Sequence, residues 1–174
     1  PTVELLRLQL QLAAGAEDTL GELGELTRSH PEYAAAWLTR SAAAELEGDE
    51  EQALTSARRG AELWDASTWR RRVRELEARW VDHRIAEARR VLEAGRPEEA
   101  LTLTDRALEL QPGVAPGRMV RARALLALDR PAEAEAELAR LSPGPEVLLL
   151  TGHIAEMRGD WLNAMEIYRS LPED

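Results

Sequence analysis

The sequence predicts an all-α chain, an α-solenoid of about five helical hairpins with one elongated helix. Three observations carry this expectation. Two stretches, Ala34 to Asp65 and Pro145 to Leu171, follow one pattern of large, small and glycine positions over a period near 34 residues, the mark of a helical-hairpin repeat. The composition, 44% hydrophobic with no Phe among 174 residues, is led by Ala and Leu and suits closely packed helices. Finally, the segment from Ser67 to Ala94 contains neither Gly nor Pro and places apolar residues at steps of three to five, so it reads as one continuous helix.

The hairpins follow in chain order. In the first, about residues 2–30, Leu5, Leu8 and Leu12 form one stripe, Gly15 breaks the helix, and Leu20, Leu23 and Leu26 form a second stripe before Pro31. In the second, about 32–65, Trp37 is followed by Ser41, Ala44, Gly48, Asp49, Ala53, Ala57 and Gly60. Offsets of four and seven place side chains on one helix face, the Gly-Asp pair ends one helix and starts the next, and a small residue follows at the closest crossing. Asp49 and Gln52 read as a capping box. The third hairpin, about 67–112, has a long first helix carrying Trp69, Val73, Leu76, Trp80, Ile85, Ala88 and Val91, whose first half protrudes from the stack or packs across it. Gly95 ends it, Pro97 opens the second helix and Pro112 follows that helix. The fourth, about 115–142, has Asp129 in the glycine place and stops at Ser142-Pro143-Gly144-Pro145. The fifth, about 145–171, repeats the second: Leu148 is followed by Gly152, Ala155, Gly159, Asp160, Ala164, Tyr168 and Leu171.

This spacing, together with the stretch GRPEEALTLTDRALELQP at residues 95–112, resembles the tetratricopeptide repeat family. The resemblance implies a right-handed α-solenoid of tetratricopeptide-like hairpins in one repeat domain, working as a binding scaffold. In that family the first helix of each hairpin lines a concave groove. Transferred by register, the groove positions fall on Leu38, Ile85, Arg89, Leu92, Met119, Arg123, Leu126, Leu149 and His153, with Leu5, Gln9, Leu12, Ala42, Glu45 and Glu156 completing the rows. The expected ligand is a protein or peptide partner, an apolar peptide or amphipathic helix, with Arg89 and Arg123 meeting a carboxylate. The alternative at these positions is packing within each hairpin, with the arginines paired to neighbouring Glu. Family members that hold chaperone tails use lysines, and this sequence has none, which disfavours that ligand. Arrays of this family close on an additional polar helix. None follows residue 171, so Ile167, Tyr168 and Leu171 are expected to be covered by another molecule unless the chain is a fragment.

Charge and composition exclude several classes. The net charge of −10 opposes broad attraction to nucleic acid or anionic lipid, so nucleic acid is not an expected partner. Arginine is nevertheless concentrated between residues 66 and 96, where Arg70, Arg71, Arg72 and Arg74 flank Trp69. These are expected to pair with Glu75, Glu77 and the acidic first hairpins. Trp37 and Trp161 occupy repeat positions and are expected in the core. Trp64, Trp69 and Trp80 cluster around the long helix and, with Ile167, Tyr168 and Leu171, form the surface on which a structural subunit or homo-oligomer would pack. The absence of cysteine excludes disulfides and thiolate chemistry, and the absence of lysine excludes Schiff-base chemistry. No apolar run is long enough for a membrane span and no signal peptide opens the chain, which leaves the compartment open.

No catalytic constellation is present. His30, His83 and His153 form no i, i+4 pair of the kind that binds zinc on a helix. No nucleophile elbow, phosphate loop or dinucleotide fingerprint occurs, and the GDEEQA turn lacks the alternating ligands of a calcium loop. The expectation is a non-catalytic chain with neither metal nor cofactor.

Overall fold

The computed structural model describes residues 1–16 and 18–172. Among them it has ten helices and no strand. The helices are α1 (Thr2–Ala13), α2 (Thr19–Ser29), α3 (Ala34–Leu46), α4 (Glu50–Leu63), α5 (Ser67–Glu93), α6 (Pro97–Leu110), α7 (Ala115–Ala127), α8 (Pro131–Leu138), α9 (Pro145–Met157) and α10 (Trp161–Arg169). Chain packing divides them into two compact units, Pro1–Trp80 and Val81–Asp174.

The tight turns share one local chemistry. After α1, α3, α5 and α9 a glycine takes a left-handed φ of 69 to 77°. The following N–H then reaches back to a carbonyl in the helix's last turn, as in Asp49 to Ala44 at 2.9 Å and Arg96 to Val91 at 3.1 Å. This closes carbonyls that the helix end leaves unpaired. After α7 the same bond, Arg130 to Leu125 at 2.9 Å, forms with Asp129 at φ 56°. An aspartate therefore does stand in the glycine place.

The next helix starts on a cap. The Asp49 carboxylate accepts from the Gln52 N–H at 2.9 Å, and Asp160 accepts from Asn163 at 3.3 Å. The reciprocal half of the expected capping box is replaced. The Gln52 amide donates to the Asp49 carboxylate at 3.1 Å and its oxygen accepts from Arg40 at 2.6 Å.

In the first unit the leucine stripes of α1 and α2 close on alanines of α3 and α4, with Leu8 and Leu23 fully buried. Each such leucine stabilises the fold by about 1.5–3 kcal/mol before entropy is counted. Small residues set the crossings: Ser41 donates to the Ala53 carbonyl at 2.8 Å. Leu38 Cδ2 lies 2.5 Å from where a Cβ on Gly60 would stand. The first half of α5 packs across this unit and does not protrude. Leu76 and Trp80 are buried, Arg72 and Arg79 reach Glu45 at 2.5 and 2.8 Å, and Arg58 reaches Glu77 at 2.6 Å. In the second unit one core forms around Leu125, Leu138 and Ile154, and another around Val91, Ala100 and Ala124.

Candidate functional site

Within the second unit a pocket of about 520 Å³ opens where the end of α5, the first half of α7, the turn after α8 and the start of α9 converge. α7 contributes Pro116, Met119, Val120 and Arg123, which at spacings of three and four share one helix face. Gly117 lets α7 come close: a Cβ there would lie 3.2 Å from Ile85 of α5. The prolines of the Ser142–Pro145 turn end one helix and start the next. That turn delivers Leu141 and Ser142, and the first turn of α9 delivers Glu146 and Val147.

The walls are thus largely apolar and the rim is charged. Arg123 pairs with Glu146, both half exposed. Pairs of this kind contribute about 0–1 kcal/mol, so an incoming carboxylate competes for Arg123 at little cost. Arg89 is exposed on the same rim and has no acidic partner among the described residues. Ser142 is the only hydroxyl among the described lining residues, with no histidine beside it to serve as a base. No group of three or more His, Asp or Glu among the described residues is arranged to hold a metal ion. None of the described helices is long and apolar enough to cross a membrane.

The residues singled out in the sequence divide into those at this pocket and those elsewhere. Arg89, Met119 and Arg123 meet in it. Leu92 and Leu126 are half buried and pack on the adjoining cores. Leu149 and His153 are exposed on α9, where the His153 ring lies 3.6 Å from the Glu156 carboxylate. Leu38 and Ile85, expected in the groove, are core residues, only 6% and 4% exposed. Each fills the space that a glycine leaves on the facing helix, Leu38 at Gly60 and Ile85 at Gly117.

Among the tryptophans, Trp80 is 8% exposed and belongs to the core, so it is no surface anchor. Trp69 is half buried and Trp64 is 55% exposed. Trp37 is half buried and its indole N–H donates to the Pro31 carbonyl at 2.9 Å. Trp161, expected in the core, is 67% exposed, because as the first residue of α10 it projects from the turn beside exposed Leu162 and Met165. Ile167, Tyr168 and Leu171 are half buried, with the Tyr168 ring against Gly152. Sequence reasoning missed Leu141, Ser142, Glu146 and Val147, because the Ser-Pro-Gly-Pro turn carries a stop signal and no sign of what it lines.

The paired helices and their recurrent turns define an all-α helical-repeat fold in each unit. Residues 84–144, which hold most of the pocket, match the family model described as tetratricopeptide repeat. Among solved structures it is similar to the TPR2AB domain of yeast Sti1 in its pHSP90 complex, at 14% identity over 95% of this chain and 74% of that one, with a TM-score of 0.47. It is also similar to MamA, at 13% identity over 97% and 87% of the two chains, TM-score 0.47. YrrB, described as a TPR protein with an unusual peptide-binding site, is 13% identical over 92% and 78%, TM-score 0.46. No curated protein matches the chain.

Proposed function

We propose that this chain is a non-catalytic protein-interaction scaffold that holds an apolar or amphipathic peptide segment in the pocket between α5, α7 and α9. The observation that supports the reading is convergence: Arg89, Met119 and Arg123 share one apolar-walled cavity, and the Arg89 guanidinium at its rim has no acidic partner among the described residues. A volume of about 520 Å³ suits a few anchoring side chains. The partner that fits is a segment with apolar anchors and a carboxylate within reach of Arg89. Nucleic acid fits less well, since Glu146 offsets Arg123 and the chain carries a net charge of −10.

The test is selection of binders from a random peptide library, followed by affinity measurement on Met119→Glu and Arg89→Glu. Placing a carboxylate in the apolar wall, or reversing the rim charge, is expected to weaken the selected peptides at least tenfold. Unchanged affinity in both variants rejects the reading. A second reading, a structural subunit or homo-oligomer, is favoured by exposed Trp161, Leu162 and Met165 on α10. It predicts a concentration-dependent rise in mass by light scattering that Trp161→Glu/Met165→Glu abolishes.

A further inference from the structure

A different cavity, about 930 Å³, lies in the first unit, walled by α2, the ends of α1 and α3, and the start of α4. It contains an arginine unlike its counterparts. The other part-buried arginines are neutralised: Arg58 holds Glu77 at 2.6 Å, Arg72 holds Glu45 at 2.5 Å, Arg84 holds Glu87 at 2.8 Å, Arg118 holds Glu137 at 2.6 Å and Arg121 holds Asp105 at 2.7 Å. Arg40 on α3 has no carboxylate within ion-pair distance among the described residues. Its guanidinium donates only to neutral oxygens, Thr27 Oγ1 at 3.1 Å and Gln52 Oε1 at 2.6 Å, and rests 5.6 Å from the Trp37 ring centre. Its Nε is buried with no hydrogen-bond partner. Burial, reinforced by the charge of Arg28 on the same cavity, lowers the Arg40 pKa from the ordinary arginine value.

Arg40 is half buried, and a bidentate carboxylate is the usual partner of a guanidinium in such a place. The guanidinium faces the cavity beside Gly24 of α2, where even an added Cβ would only touch Nη2, at 3.7 Å. Two features decide what kind of anion fits. Asp18 and Glu47 also line the cavity, so a dianion such as phosphate meets more repulsion than a single carboxylate. Leu12, Leu20 and Leu46 supply apolar wall for the residues flanking that carboxylate. We infer that this cavity receives an acidic side chain of a protein partner, flanked by an apolar residue, whose carboxylate meets Arg40.

Trp37 is the reporter, since its ring lies under Arg40 and only five indole N–H signals are present in the full chain. The chain is titrated with acetyl-Leu-Glu-amide and, separately, with the uncharged acetyl-Leu-Gln-amide, following the Trp37 indole resonance. The Glu peptide is expected to shift it at least tenfold more tightly than the Gln peptide. Arg40→Gln is expected to abolish the difference while circular dichroism stays native. Should that variant unfold, Gln52→Glu decides the matter, because it places a competing carboxylate at the Arg40 Nη2 contact and is expected to weaken the Glu peptide at least tenfold. Equal responses to the two peptides, or a preference for Glu that survives in the folded variant, overturn the proposal. Inorganic phosphate binding more tightly than the Glu peptide overturns the choice of a carboxylate.

Discussion

The ring of Tyr168 on α10 lies across Gly152 on α9, in the space that a Cβ would need. The two helices of the last hairpin approach this closely only because one side chain is missing, and the aromatic ring fills the gap that results.

Gly152→Ala therefore sets two effects against each other. Alanine improves helix propensity by about 1 kcal/mol. Its methyl group also collides with a planar ring, and overpacking of this kind costs about 1–3 kcal/mol. Because the overlap falls on three atoms of one rigid ring, which must turn as a whole to relieve it, the clash wins. Urea denaturation should show Gly152→Ala less stable by up to about 2 kcal/mol. The double variant Gly152→Ala/Tyr168→Ala should lose less than the sum of the two single changes, since the collision is absent once the ring is gone.

Glu137 is the most concentrated electrostatic element in the second unit. Its nearly buried carboxylate accepts from Arg118 at 2.6 Å, Arg121 at 2.8 Å and Arg140 at 3.3 Å. Replacement by Gln leaves Arg118 without its ion pair while that side chain stays largely buried. Removing one partner of a buried pair costs about 3–5 kcal/mol, reduced here because Arg121 keeps Asp105 at 2.7 Å. A loss of about 2–4 kcal/mol in chemical denaturation is expected for Glu137→Gln. The same substitution at exposed Glu133 should leave the denaturation midpoint close to that of the unsubstituted chain.

Asp129 adopts φ 56° at a turn where α1, α3, α5 and α9 are each followed by glycine. A left-handed conformation penalises a residue with a Cβ, although aspartate tolerates it better than most. Asp129→Gly should stabilise the second unit by about 0.5–1 kcal/mol, the relief outweighing the added freedom of the unfolded chain. The mirror change Gly95→Ala, at φ 76°, should destabilise by about 1 kcal/mol or more. Thermal melts of the two variants should move in opposite directions.

Turns and helices were legible because their causes are local. Gly48, Gly95 and Gly159 announce left-handed turns, and the unbroken apolar spacing from Trp69 to Val91 announces one long helix. The side chains facing the groove were harder to assign, because the count from a turn gives a helix face but not what covers it. Leu38 and Ile85 lie on the expected faces yet are absorbed by Gly60 and Gly117 on facing helices, a contact decided by packing between helices. Arg89, Met119 and Arg123 escaped that fate because the turn after α8 opens a cavity beside them. Trp80 and Trp64 look alike in sequence, but one is buried against its neighbours and the other lies past the end of α4. Arg40 gave no signal at all, since the absence of an acidic partner among the described residues appears only once the helices around it are packed.

The central claim, that a peptide is held between α5, α7 and α9, meets its most direct test in the methionine methyl groups. The chain has three methionines: Met119 lines the pocket, while Met157 and Met165 are exposed near the last turn and on α10. A library-selected peptide is titrated into protein labelled at the methionine methyl carbons and followed by NMR. The Met119 resonance should move through saturation while Met157 and Met165 stay in place. A response confined to Met157 and Met165 would contradict the account and put the binding surface on the last hairpin.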